Sequence, residues 1–522
     1  MSLDSSTIAR ILRYQTRSRG DHPLLICDGD RISYAEADRR SARLARGLVA
    51  LGAGKGAHVG LLYPNGPEFV VGMLAAARIG AVVIPFSTFV TARELREQLV
   101  DSDAEILLTA ASFRSNDYVP RLSEVLPNAD LDNRLFRAAV PQLRHVAVTH
   151  ETVCGLADSI DPALLRAMED DVAEGDSLTI VYTSGSTSAP KGVVHTHGAL
   201  LTHQRNLNSI RGLTADDRLF CNSPFFWIGG LAFGLLATLV AGSTLVCSNA
   251  TDAGATLDLL EAEKPTMSNG FAAGIAHLAD HPSFPQRDLS SMRRGNLYPI
   301  MAPDVRPADP ELRHNMLGMT EAGSVVLIGD DESDQPEHRR GSFGKPAPGF
   351  ETKVVDPDTG TGVPVGEVGE LCLRGPYLMQ GYYKRSREES FDADGWFHSG
   401  DLVRVDADGF VYFTGRRGAM IKTAGANVSA AEVEKAISEV TDGAPAYVIG
   451  IPDARRGQVV AAVVVRPDGA AAFDGPALGE RLKTELSAYK IPKRFVALRS
   501  ADVPLLASGK VDMRRLRALF DV

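Results

Sequence analysis

The sequence predicts an α/β protein with a large N-terminal region of α/β subdomains, a β-rich portion, and a small C-terminal α/β domain. Three observations carry this. Strand-like apolar runs alternate with helical stretches over residues 58–85, the rhythm of right-handed crossovers and a parallel sheet. Residues 341–415 are dense in strand and turn signals, and the tail beyond them mixes strands and helices on a smaller scale. At 522 residues the chain exceeds one ordinary core, so two or more domains are expected.

Taken in order, residues 7–50 read as helix, hairpin and helix. Leu24-Leu25-Ile26-Cys27 leads into the turn Asp28-Gly29-Asp30. Apolar residues then recur at helical spacing over 35–51, until Gly52-Ala53-Gly54 ends the pattern. Residues 58–63 form a strand candidate, Pro64-Asn65-Gly66 a turn, the stretch to residue 79 a helix, and 80–85 the next strand. Over 101–175 the periodicity is weak and no element is assigned. His195-Thr196-His197-Gly198-Ala199-Leu200 is expected to open a helix. Its two histidines would not share a helix face and nothing nearby completes a ligand set, so they read as structural. Near the C-terminus, Ser429-Ala430-Ala431-Glu432 is a capping box opening a helix over 433–440. Residues 447–453 and 459–465 read as strands, and 478–486 as a helix.

Composition narrows the function. Hydrophobic residues at 44% and charged residues at 23% suit a globular chain in water, and a net charge of −10 argues against coating nucleic acid. The first six residues lack a signal pattern. The longest apolar stretch, 231–240, is too short to span a bilayer and is interrupted by Gly234, so no transmembrane segment is expected. Cysteines 27, 154, 221, 247 and 372 are widely spaced with no C-x-x-C pair, which suggests neither a disulfide framework nor a zinc site and fits a cytoplasmic location.

The chemistry concentrates at Tyr182-Thr183-Ser184-Gly185-Ser186-Thr187-Ser188-Ala189-Pro190-Lys191-Gly192, where a β-prone run empties into hydroxyls, small residues and one lysine. Small residues let backbone N–H groups converge, hydroxyls add donors and lysine adds charge, as a phosphate cradle requires. The same residues suit a solvated Ser/Thr turn, and the Walker spacing is absent. Further along come Asn315-Met316-Leu317-Gly318-Met319-Thr320-Glu321-Ala322-Gly323, Gly369-Glu370-Leu371-Cys372-Leu373-Arg374-Gly375, Trp396-Phe397-His398-Ser399-Gly400-Asp401, Gly415-Arg416-Arg417-Gly418-Ala419-Met420-Ile421-Lys422 and Ala507-Ser508-Gly509-Lys510-Val511.

Together and in this order, these stretches resemble the motifs of the adenylate-forming superfamily: acyl- and aryl-CoA ligases, luciferases and peptide-synthetase adenylation domains. The resemblance spans nearly the whole chain and looks closest to acyl-CoA and 4-coumarate–CoA ligases. It implies an AMP- and acid-binding domain over 1–415 and a mobile lid over 416–522, with a hinge near 416–420. It also implies an ATP-dependent ligase that makes acyl-AMP and then acyl-CoA from an aryl or fatty acid. Lys510, Thr183, Lys191 and Glu321 would be catalytic, with Glu321 the Mg²⁺ ligand. Ser184, Gly185, Ser186, Thr187, Gly318, Met319, Thr320, Asp401, Arg416 and Gly425 would bind ATP or CoA. Trp227, Leu297, Tyr298 and Met319 would border the acid. The partners implied are a carboxylic acid, ATP and CoA, with self-association left open.

Some positions depart from the family pattern. Ser188 stands for a glycine, Leu317 for an aromatic that stacks on adenine, Trp227 for a histidine, and Gly418-Ala419 for a charged hinge. They keep open a ligase with an unusual acid or an amine or carrier-protein acceptor, and a ligand-binding member without turnover.

Overall fold

The computed structural model describes residues 7–183, 190–271, 275–416, 420–466, 473–499, 502–504 and 511–521. The N-terminal alternation builds a seven-stranded sheet in the order Gly381–Tyr382, Lys191–Thr196, Ser177–Thr183, Val82–Pro85, His58–Leu62, Ile106–Thr109, His145–Ala147. Pairs from Ser177–Thr183 to His145–Ala147 are parallel, while Gly381–Tyr382 runs antiparallel to its neighbour. The helix Pro67–Arg78 is buried along almost its whole length. The charge it carries inward, Arg78, is paired with Glu169 and Asp38. The strands Ile106–Thr109 and His145–Ala147 lie in the stretch where periodicity is weak, being too short to display a period.

A second sheet runs Arg294–Gly295, Met267–Asn269, Arg218–Cys221, Thr244–Cys247, Pro23–Cys27, Asp30–Ser33, parallel until the closing hairpin. Cys27 and Cys247, distant in sequence, are register partners there, and all five cysteines are free thiols. The β-rich portion forms a three-stranded sheet (Leu317–Met319, Ser324–Ile328, Lys345–Pro346) and an antiparallel four-stranded one (Glu351–Val355, Val368–Arg374, Phe397–Val405, Val411–Arg416).

Among the described residues, 7–88, 99–182 and 192–416 make one compact unit, and 89–98, 183, 190–191 and those from 420 onward make another. The second unit has a five-stranded sheet in which Arg494–Arg499 lies parallel to Gly457–Arg466. Its helix Ala430–Val440 starts earlier than the expected 433, because Ser429 Oγ accepts the Glu432 N–H at 3.3 Å. The helix expected over 478–486 is instead Gly475–Arg481 followed by a tight turn over Leu482–Thr484. Lys490 is buried in this unit between Glu94 at 2.6 Å and Glu432 at 2.7 Å. No helix among the described residues is long and apolar enough to cross a membrane.

Candidate functional site

The acidic motif folds as a hairpin. Leu317–Met319 pairs with Ser324–Ile328, and Thr320–Ala322 makes the turn between them. Glu321 is buried, with its Oε1 accepting a 2.7 Å hydrogen bond from the Tyr382 hydroxyl and its backbone carbonyl accepting from Met379 N at 2.8 Å. Among the described residues, Oε2 makes no hydrogen bond or ion pair. Leu317 and Met319 point into a hydrophobic core cluster, so Leu317 is a packing residue as well as the substitute for an aromatic.

The segment over residues 191–211 fastens this hairpin. His195 stays on the strand Lys191–Thr196, and the helix begins at His197, because Thr196 Oγ accepts the Ala199 N–H at 3.1 Å and so caps it. From the strand, His195 Nε2 reaches Thr320 O at 2.7 Å. A carbonyl only accepts, so Nε2 carries the proton. Burial pushes the imidazole down to about 4, which keeps it neutral. From the helix His197–Arg211, His203 Nε2 donates to Val325 O at 2.8 Å, and Gln204 Nε2 donates to Gly323 O at 3.2 Å. Sequence reasoning passes over Tyr382, His203 and Gln204. Tyr382 lies in a recognisable Gly-Tyr-Tyr stretch, but its target is 61 residues away.

Asp401 and Arg416 are backbone register partners in the strands Phe397–Val405 and Val411–Arg416. Asp401 is buried, and its backbone N–H is held by Ser399 Oγ at 3.1 Å, which itself donates to Leu371 O at 2.6 Å. Thr183 closes the strand Ser177–Thr183 and Lys191 opens Lys191–Thr196, and both are half-buried. Ser184, Gly185, Ser186, Thr187 and Ser188 lie outside the described residues, as do Gly418, Ala419 and Lys510. Gly425 is the second residue of a two-residue hairpin turn between Met420–Thr423 and Ala426–Ser429, with φ +86° after Ala424 at +48°. Both residues are left-handed, as this type of tight hairpin demands.

A cavity of about 670 Å³ opens beside the edge of the second sheet. Its lining includes Arg211, Phe233, Asn269, Asn296, Tyr298 and Met316. Gly295 begins the turn at this edge with φ +113°, and a Cβ there would lie 1.8 Å from Ser268 O, so only glycine fits. Asn296 then ties the edge together, accepting from Gly270 N at 3.1 Å and donating to Gly270 O at 2.8 Å. Tyr298 lines the cavity, whereas Leu297 is fully buried in the core cluster behind it. Trp227 is half-buried and packs edge-on against Phe226 and Phe271, and neither it nor Met319 is among the lining residues.

Residues 12–383 match the family of AMP-binding enzymes, and 432–510 match the AMP-binding enzyme C-terminal domain. A feruloyl-CoA synthase from Amycolatopsis sp is 34% identical over 502 residues, covering 94% of this chain and 94% of that protein. The solved o-succinylbenzoate CoA synthetase of Bacillus subtilis, a double mutant bound with its product analogue, is similar with a TM-score of 0.76 at 25% identity over 97% of each chain. The amide bond synthetase McbA from Marinactinospora thermotolerans gives a TM-score of 0.78 at 25% identity, over 98% of this chain and 99% of that one.

Proposed function

The chain belongs to the AMP-binding enzyme family and is an adenylate-forming acid–CoA ligase; from that premise we propose how its residues divide the work. In the first half-reaction a carboxylate oxygen of the acid attacks the α-phosphorus of ATP. Pyrophosphate leaves with the bonding pair, giving acyl-AMP. In the second, the CoA sulfur attacks the acyl carbonyl and AMP departs. Negative charge gathers between carboxylate and phosphate in the first transition state, so cations and N–H or O–H donors are the catalysts needed. The nucleophile is already ionised, and no general base is required.

Thr183, Ser184, Gly185, Ser186, Thr187 and Lys191 cradle the β- and γ-phosphates, and Lys510 bridges carboxylate and α-phosphate. Gly318, Met319 and Thr320 border the nucleotide. Asp401 and Arg416 take the ribose hydroxyls, a role their pairing in register supports. The cavity beside Tyr298 takes the acid, with Leu297 supporting that wall from behind; Trp227 and Met319, which do not line the cavity, are assigned no contact with the acid. Gly425 leaves room for the pantetheine arm of CoA.

The observation that carries this reading is the Glu321 carboxylate, buried and fixed through one oxygen while the other has no protein partner among the described residues. No cluster of three or more metal-binding side chains occurs among the described residues. One carboxylate completed by water and phosphate oxygens suits Mg²⁺, which keeps most of its ligands from solvent and substrate. Bound there, Mg²⁺ would neutralise phosphate charge. The similarity to a feruloyl-CoA synthase supports an aryl acid, and five free thiols support a reducing compartment such as the cytoplasm.

Acid-dependent exchange of labelled pyrophosphate into ATP tests the first half-reaction. Lys510→Ala is expected to lower this exchange by about 10²–10³ or more, the usual loss for a preorganised donor, while thioester formation from supplied acyl-AMP survives. Near-normal exchange in that variant contradicts the assignment of Lys510.

A further inference from the structure

Arg211 ends the helix His197–Arg211 and is 9% exposed. Its Nη1 donates to Asn269 Oδ1 at 3.1 Å, and its Nη2 to Asn208 Oδ1 at 2.9 Å and Phe233 O at 3.0 Å. The guanidinium carbon lies 3.9 Å from the centre of the Phe233 ring. All of these partners are neutral, and Nε is buried with no hydrogen-bond partner. The other arginines lining the same cavity are each paired with a carboxylate: Arg293 with Asp304, Arg294 with Asp217, Arg313 with Asp334. Arg211 alone among them has no ion-pair partner among the described residues.

A buried guanidinium without a counter-ion is costly, and the negative end of its helix, roughly half a charge, offsets it only in part. Burial lowers its pKa to about 9, so the group is still positive at neutral pH. Asp330, Asp331 and Glu332 also line the cavity and are exposed, although burial raises the Glu332 carboxyl against the pull of Arg294 and Arg313. Asp331 is further occupied by Ser333 N at 2.8 Å and Gln335 Nε2 at 3.0 Å. Arg211 is therefore the buried charge of this lining that lacks an opposite partner among the described residues.

We propose that Arg211 is a specificity-determining residue that receives a second carboxylate at the distal end of the acid, so that the enzyme prefers dicarboxylic acids to matched monocarboxylic ones. This rests on the reading that the cavity beside Tyr298 takes the acid. With both Nη2 hydrogens and one Nη1 hydrogen given to protein acceptors and Nε enclosed, the second Nη1–H is left to donate a charge-assisted hydrogen bond to a carboxylate, and Asn269, which donates to Asn296 on the sheet edge, holds the guanidinium in place. The cavity volume lies within the usual range for a small-molecule site, about 300–1,000 Å³, and Phe233, Met301, Met316 and Ile328 supply apolar surface for the body of the acid.

The test uses the full chain and pyrophosphate exchange with sets of aryl and alicyclic acids. Each set contains a monocarboxylic acid, its analogue with a distal carboxylate, and the primary amide of that distal carboxylate. Wild type is expected to favour the diacid over the amide by about 10- to 100-fold in kcat/KM, the scale of a lost charge-assisted hydrogen bond. Arg211→Gln should collapse that ratio toward one, and Arg211→Lys should retain part of it. Parity between diacid and amide in wild type, or an unchanged ratio in a folded Arg211→Gln protein, overturns the proposal. The wild-type comparison stands even where a variant fails to fold. Met316→Trp, which fills the cavity, separates the two readings. If it leaves KM unchanged for every acid, the cavity does not take the acid and both readings fall. If it raises KM while the Arg211→Gln ratio is unchanged, only the role of Arg211 falls.

Discussion

The Tyr382 hydroxyl donates a 2.7 Å hydrogen bond to Glu321 Oε1, joining the antiparallel edge strand of the seven-stranded sheet to the turn that carries the candidate metal ligand. A bond to a charged group is worth about 1.5–3 kcal/mol, and here it also fixes the direction of Oε2, which has no partner among the described residues. Tyr382→Phe should therefore lower pyrophosphate exchange by about 10- to 100-fold at limiting Mg²⁺, with much of the loss recovered at high Mg²⁺. A Mg²⁺ titration of exchange checks this; an unchanged Mg²⁺ dependence shows that Tyr382 does not orient Glu321 for the metal.

Asp401 is expected to hold the ribose. Asp401→Ala should raise the KM for ATP by about tenfold or more for the lost hydrogen bonds. Wild type should discriminate against 2′,3′-dideoxy-ATP, and the variant should treat it and ATP alike. A variant that discriminates as strongly as wild type places the ribose elsewhere.

The buried histidines of the helix His197–Arg211 make stability depend on pH. Burial pushes His197 and His203 each down to about 4 from an ordinary 6.5. The unfolded chain thus takes up protons below pH 6.5 that the folded chain refuses. Their contribution is complete above about 6.5, is lost as pH falls toward about 4, and is constant below that. Each histidine adds up to about 1.4 kcal/mol per pH unit to this slope. Urea unfolding between pH 7.5 and 5 should show a shallower loss of stability for His203→Gln than for wild type. Parallel curves contradict a neutral, buried His203.

Much of this was legible in the sequence, and the remainder was hidden for identifiable reasons. The strand–helix rhythm over 58–85 becomes the strands His58–Leu62 and Val82–Pro85 around the helix Pro67–Arg78, because that stretch is long and consistently apolar. The helix after the phosphate loop starts two residues later than expected. Thr196 is its cap, and His195 continues the strand to reach Thr320 O, 125 residues away. Tyr382 sits in a recognisable Gly-Tyr-Tyr stretch, but nothing local names its partner, and Arg211 carries no local signal. One is defined by a partner brought in by strand pairing, the other by having no counter-ion among the described residues of a cavity, and neither property exists before the chain folds.

Gly425 should matter for thioester formation and little for adenylation. Its φ of +86° strains any branched residue, so Gly425→Leu combines backbone strain with a blocked approach. Asparagine tolerates left-handed backbone, so Gly425→Asn tests occlusion with much less strain. Both variants should keep pyrophosphate exchange near wild type and lose acyl-CoA formation, leucine by about 100-fold or more and asparagine by about tenfold, a step of about 1.4 kcal/mol per tenfold. Undiminished acyl-CoA formation in both removes Gly425 from the pantetheine route.

The most direct measurement is the product balance of a single reaction containing wild-type enzyme, ATP, Mg²⁺, CoA and the acid that best supports exchange. Because the carboxylate attacks the α-phosphorus and the CoA sulfur then displaces AMP, the reaction should yield AMP, pyrophosphate and acyl-CoA in equal amounts, with no ADP. ADP and phosphate in place of AMP and pyrophosphate, or acyl-AMP accumulating at saturating CoA with no thioester, would contradict the account.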